Sequence, residues 1–229
     1  MKRIEYATFG PGGNSESFYA DGKKSTTDAP LWVKNFGLDA YEYEAGNGIA
    51  AGDATLKKIG DAARDCGILM SLHTPYFISL SGVDPEKRLK SIDYIEKSLW
   101  AADLMGADTI VIHSGSAGKI PRNEAMKLSC DTLEHLLRAL DGRYEHIRLG
   151  IETMGKLNQL GDLDEVLQLC LVDERFIPCI DFGHLNARTF GGVNSFEDVG
   201  KVFAAMENVL GAQRMRGFHS HFSKIEYTQ

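Results

Sequence analysis

A chain of 229 residues with 43% hydrophobic and 25% charged side chains has the composition of an ordinary globular protein and is read as one domain over 1–229. Its net charge of −7 argues against non-specific binding of a polyanion, and no apolar run approaches the ~20 residues of a membrane span. The start runs directly into a predicted strand without a secretory apolar segment, and Cys66, Cys130, Cys170 and Cys179 lack paired spacing, which fits reduced thiols in a cytoplasmic protein.

Arg3–Phe9 alternates as a first strand and runs into Gly10–Asn14, G-P-G-G-N. Its glycines suit a wide turn or a phosphate cradle, although the spacing is not that of a nucleotide loop. Asp28, with Pro30 in the first turn, starts a helix that ends near Phe36-Gly37. Leu38–Ala45 is a second strand with Glu42 and Glu44 on one face and Tyr41 and Tyr43 on the other. Either glutamate can face a site or solvent. Asp53 caps a helix closed by Gly67, and Ile68–Leu72 is a third strand that stops at His73-Thr74-Pro75-Tyr76. Pro85–Gly106 carries Leu89, Ile92, Ile95, Leu99 and Ala102 at helical spacing.

Asp108–Ile112 is a fourth strand stopping at His113, Pro121–Leu140 a helix, and Arg148–Ile151 a fifth strand stopping at Glu152. Asp162 caps a helix through Leu171. Phe176–Ile180 is a sixth strand stopping at Asp181, with His184 three positions on and Arg188 in the loop beyond. Ser195 caps a helix ending near Leu210-Gly211, and Arg214–Phe218 is a seventh strand that delivers His219. His221, two residues further, is an additional candidate ligand, while His135 and His146 read as surface residues.

Alternating strands and helices with short connections call for a parallel sheet. Polar residues at nearly every strand end, and no G-x-G-x-x-G after the first strand, favour a (β/α)8 TIM barrel over an open doubly wound sheet. The chain stops before a last strand and helix, so the barrel is expected to lack its final unit at the C-terminus. The endpoints His73, His113, Glu152, Asp181 and His219 lie 40, 39, 29 and 38 residues apart. Histidine with carboxylate and no thiolate suits Zn²⁺, Mn²⁺ or Fe²⁺. Six candidates, His184 included, exceed what one tetrahedral zinc takes. Two or three ions with Glu152 as bridge would suit phosphoryl displacement; a single ion would suit sugar isomerisation.

The segments H-T-P-Y, I-V-I-H-S-G-S, G-I-E-T, C-I-D-F-G-H and R-G-F-H resemble, in order and spacing, the motifs of the endonuclease IV family within the xylose-isomerase-like barrels. Members of that family are AP endonucleases that cut DNA at abasic sites with a trinuclear zinc cluster. The resemblance implies that His73 and His113 hold one zinc, that Glu152 bridges, that Asp181 and His219 hold a second, and that His184 holds the third. It also implies a role for Tyr76 near the active site, and Glu44 and Arg188 are expected to contact substrate. Two departures stand out. Y-A-T-F-G-P-G-G lacks the family's first-strand histidine, and Ser220-His221-Phe222 stands where the family has an N-D pair. Sugar isomerases and epimerases on the same barrel, with one Mn²⁺ or similar ion and Glu152 as acid/base, are the alternative. Lys119, Arg122, Arg188 and Lys224 are the cations available to meet DNA, and the protein is expected to act as a monomer.

Overall fold

The computed structural model describes residues 6–222. Short apolar runs form the sheet: β1 (Ala40–Glu44), β2 (Leu69–His73), β3 (Thr109–His113), β4 (Arg148–Glu152), β5 (Phe176–Asp181) and β6 (His219–His221). All five pairings are parallel, and the order is β1-β2-β3-β4-β5-β6. A doubly wound sheet reverses at a switch point; this one pairs each strand with the next in sequence, as a TIM barrel does. Parallel strands covered on both faces read as continuous apolar runs, and Ile110, Val111 and Ile112 of β3 are fully buried.

The helices are α1 (Glu16–Ala20), α2 (Ala29–Asn35), α3 (Asp53–Cys66), α4 (Pro85–Met105), α5 (Arg122–Leu140), α6 (Leu163–Cys170), α7 (Phe182–Arg188) and α8 (Phe196–Met215). In α4, Asp84 caps the Glu86 amide, Pro85 takes the first position, and Gly106 closes the helix at φ 68°. Its Ile92, Ile95, Leu99 and Ala102 are buried as the spacing predicts, whereas Leu89, a turn before them, is 55% exposed. Asp162 and Glu165 form a capping box on α6, and the Glu165 carboxylate also pairs with Arg122. Among the described residues, no helix is long and apolar enough to cross a membrane.

Four expectations change. The predicted first strand lies partly outside the described residues, and from residue 6 to 11 the chain is irregular. That stretch still runs along β1: the Phe9 carbonyl accepts from Asp39 and Ala40, and Glu42 donates to Pro11. Gly10 lies so close to Ala40 that an added Cβ would stand 1.6 Å from its carbonyl oxygen, so this glycine serves a close backbone approach. Asp28 makes no side-chain cap, because a 3-10 turn at Thr26–Asp28 feeds directly into α2. The cap of α3 is Gly52, and Asp53 is its first residue.

The fourth change matters most. Gly211 breaks α8 at φ 79° and ψ 158°, but the helix resumes through Met215. Arg214 anchors this last turn by donating to the carbonyls of Cys170 and Phe176 at 2.6 and 2.8 Å. The predicted strand Arg214–Phe218 is therefore mostly helix and turn, and His219 begins β6 instead of following it. Lys224 lies outside the described residues.

Candidate metal centre

Glu152 ends β4 and is 1% exposed. Its backbone carbonyl accepts a hydrogen bond from the Ser114 hydroxyl of the neighbouring strand end. Its Oε2 stands 3.3 Å from His73 Nε2 and 3.2 Å from His113 Nε2. Its Oε1 stands 3.0 Å from His221 Nδ1 and 3.6 Å from His184 Nδ1. Each oxygen of one carboxylate thus faces its own pair of imidazoles. Register explains the meeting, since His113 is paired with Glu152, and Asp181 with His221.

The donor set fits a divalent ion. His73 Nδ1 lies 2.8 Å from the Thr74 carbonyl, so it donates there and leaves the Nε2 lone pair toward Glu152. A charge-assisted N–H···O bond would be about 2.7–2.9 Å. With ligand distances of about 2.0 Å to oxygen and nitrogen, a tetrahedral zinc separates two donors by about 3.3 Å. The two contacts to Oε2, at 3.2 and 3.3 Å, match the edge of that tetrahedron.

A second set of three donors shares Glu152. Asp181 Oδ1 accepts from the His184 amide at 2.7 Å and so starts α7, while Oδ2 stands 3.4 Å from His184 Nδ1. The same Nδ1 lies 2.9 Å from the Thr153 carbonyl. With that bond made the lone pair is on Nε2, so His184 serves this group by turning its ring.

β6 carries a third set. His219, level with Cys179 on β5, reaches Glu42 Oε2 at 3.0 Å. His221 reaches Glu42 Oε1 at 2.8 Å, and both of its ring nitrogens lie 4.0 Å from Cys179 Sγ. Ser71 donates to Glu42 at 2.7 Å. His219 therefore joins Cys179, Glu42 and His221, and the residue level with Asp181 is His221. This departs from the pairing of His219 with Asp181 that the resemblance implies, because the register of β6 on β5 sets His219 one strand-face repeat below Asp181.

Electrostatics bind these groups into one network. Burial pushes the Glu152 carboxyl up, but in the ion-free protein protonated His113, His221 and His73 rings donate to it and, with the His221 charge, outweigh burial and hold it well below the usual range. Glu42 behaves likewise: burial opposes, and His219 and His221 win. Burial pulls His73 down, yet Glu152 raises it overall. Asp181 is raised by burial, with His184 opposing.

A profile of xylose isomerase-like TIM barrels matches residues 30–226. The chain belongs to that family. An uncharacterized protein of Methanocaldococcus jannaschii, MJ0133, is 32% identical over 195 residues, 85% of this chain and 70% of that protein. A protein named "Probable endonuclease 4" from Acholeplasma laidlawii is 28% identical over 160 residues, and the chain spans 53% of its length. Endonuclease IV of Thermus thermophilus superposes with a TM-score of 0.66 at 23% identity, covering 84% of this chain and 70% of that one. D-psicose 3-epimerase of Clostridium cellulolyticum, crystallised with D-tagatose, gives 0.68 at 15% identity, covering 88% and 68%. The expected likeness to endonuclease IV is borne out, and the likeness to the epimerase is one of fold.

In this xylose isomerase-like barrel the clustered donors open into a cavity of about 1230 Å³. Glu44 and Tyr76 stand on its lining with a 3.2 Å hydrogen bond between them, donated by the tyrosine. The Tyr76 ring stacks on His113 and meets His73 edge-on, covering the first donor set. Arg188 also lines the cavity, but its guanidinium is spent on the carbonyls of Met154, Lys156 and Gln159. It holds the β4–α6 loop as a wall. Arg122 binds Leu157 and Gln159 of the same loop from behind, and the lining lysine is Lys156. Phe190, at φ 53°, and Phe222 add exposed aromatic rings to the mouth. Sequence reasoning left the roles of Glu42 and His221 open and passed over Cys179; the signal for His221 was the H-x-H spacing, which places both imidazoles on one strand face.

Proposed function

We propose that this barrel, one domain over 1–229, is a metal-dependent phosphodiester hydrolase of endonuclease IV type that cuts DNA at abasic sites, acting as a cytoplasmic monomer. The observation that supports it is the Glu152 carboxylate, each of whose oxygens faces a separate pair of imidazoles. His73, His113 and Glu152 would hold one ion, and Glu152, Asp181 and His184 a second. Zinc suits these donors and manganese can replace it. Such ions lower the pKa of water and steady both the attacking and leaving oxygens of an in-line displacement.

The protein's own groups supply the rest. Glu152 is the catalytic carboxylate, since the two donor sets meet on it and its replacement would separate them. Tyr76 and Glu44 present a paired hydroxyl and carboxylate to the substrate at the mouth. Arg188 keeps the Met154–Gln159 wall in place, so that the donors open in one direction only. In the test, the protein is incubated with a duplex carrying one abasic analogue, in zinc or manganese; nicking at that position is the expected result.

A second reading has its own observation. The cavity lining carries Glu42, Glu44, Glu152 and Asp181 against Lys156 and an occupied Arg188, which is thin support for a polyanion whose phosphates dominate affinity. A neutral sugar needs no such cations. On this reading the chain is a sugar isomerase or epimerase with one ion and Glu152 as acid/base. Intact abasic duplex, one ion per chain and turnover of a ketose would decide for it.

A further inference from the structure

Phe190 stands at the mouth of the cavity in a backbone conformation that its residue type disfavours. We propose that its ring is a stacking platform for the nucleobase beside the abasic position of the substrate, a role that rests on the endonuclease reading of the site. Three observations carry this.

First, the backbone is strained and firmly held. Phe190 follows Thr189, the cap of α7, and sits at φ 53°, in the left-handed region where glycine is the usual occupant and a bulky residue is an outlier. The Phe190 amide donates to the Ala187 carbonyl at 3.1 Å, and the Gly191 amide to that of Asn186 at 2.8 Å, the two bonds of a Schellman helix end. The Gly192 amide donates to the Thr189 hydroxyl, and the Val193 amide to the Asn186 side chain. Strained residues fixed in this way by their surroundings cluster at ligand sites. Second, the fold returns little for the strain, since Phe190 is 76% exposed. Third, the other exposed rings on the lining are engaged. Tyr76 stacks on His113 and donates to Glu44, and Phe222 lies flat on Phe182 at 4.6 Å. Phe190 is the exposed ring of that lining with no ring partner among the described residues.

The charge of the cavity indicates what the ring would take. Glu42, Glu44, Glu152 and Asp181 line it against Lys156 and the occupied Arg188, so few phosphate contacts are on offer. Stacking on an aromatic face supplies affinity without charge and accepts any base. An abasic position is where a duplex can present such a base, because the gap leaves its neighbour uncovered on one side. In intact duplex both faces are covered, and the ring finds nothing to stack on.

The test uses the zinc-loaded full chain and a labelled duplex carrying one abasic analogue, with a phosphorothioate at the link to be cut, beside the same duplex without the lesion. Phe190→Gly should raise the melting temperature by about 2–4 °C and leave the ion count unchanged. It should weaken binding of the abasic duplex about 5- to 150-fold, the loss of one stacked base. The salt dependence should stay the same, because no phosphate contact is removed. Phe190→Asn, which also tolerates the left-handed backbone, should behave alike, and Phe190→Trp should keep the affinity. Binding of intact duplex should not change in any variant. A Phe190→Gly protein that melts lower than wild type, or that binds the abasic duplex as tightly, overturns the proposal and leaves the endonuclease reading standing. Wild-type protein that neither binds nor nicks the abasic duplex overturns both.

Discussion

Replacing Glu152 by glutamine keeps the shape of the side chain and removes its charge. If both oxygens serve ions, the amide should weaken two sites at once. Loss of a partner that merely orients a metal ligand typically costs 10–100-fold in affinity. Glu152 stands among the donors themselves, with four imidazole nitrogens between 3.0 and 3.6 Å of its oxygens. Each site should therefore lose more than about 100-fold, or more than about 2.8 kcal/mol at 1.4 kcal/mol per tenfold. Titration calorimetry with Zn²⁺, and elemental analysis after dialysis, would measure this. Glu44→Gln is the control, because that carboxylate lies in the mouth and bonds to Tyr76; its ion count should not change. A Glu152→Gln protein that retains every ion at wild-type affinity would refute the bridging argument.

Further expectations concern pH, the wall of the cavity and the packing of the helices. In the ion-free protein, His73 has a pKa above 6.5 and Glu42 one below 4.5, so the histidine contribution to stability is complete below about pH 6.5 and fades as pH rises, while the carboxylate contribution is lost at low pH. Chelated protein should thus melt at a higher temperature at pH 6 than at pH 9, whereas zinc-loaded protein should gain from the rise because protons compete with the ion; scanning fluorimetry that shows the same trend in both forms contradicts this. Arg188→Ala should speed amide exchange across residues 154–160 by about tenfold, from loss of partly solvent-screened charged bonds of about 1–2 kcal/mol, and Arg188→Lys should fail to restore it because one ammonium cannot reproduce the fork. Gly60→Ala should destabilise by about 1–2 kcal/mol in urea titration although alanine favours helix by about 1, because a Cβ there would stand 2.6 Å from the Met105 carbonyl oxygen; a stabilised variant would mean that α3 and α4 can separate freely.

The strand ends legible in the sequence are those of long, well-bounded runs. His73, His113, Glu152 and Asp181 each close an apolar strand, and in a parallel barrel that winds in sequence the C-terminal strand ends gather at one face. The alternation of β1 put Glu42 and Glu44 on a common face, but depth along that face decides their roles. Glu44 is the last residue of β1 and exposed, while Glu42 lies two positions deeper and is buried against Ser71, His219 and His221. Periodicity cannot supply depth, because it has no origin until neighbouring strands set the register.

β6 shows the same limit more sharply. R-M-R-G-F has no pattern long enough to separate strand from helix, and the three carbonyls that draw in Arg214 come from Cys170, Asp173 and Phe176, nearly forty residues or more away in the chain. Once that turn is helical, the strand must begin later. A delay of two residues keeps every side chain on its face and moves it about 6.6 Å along the strand. That one displacement sets His221 level with Asp181 and leaves His219 level with Cys179. It turns what the resemblance implies is a ligand of the second ion into a member of a different, sulfur-bearing set. Arg214, half-buried against the carbonyls of Cys170, Asp173 and Phe176, holds the last turn of α8 in place, and the strand that follows it is the one whose register sets His221 level with Asp181.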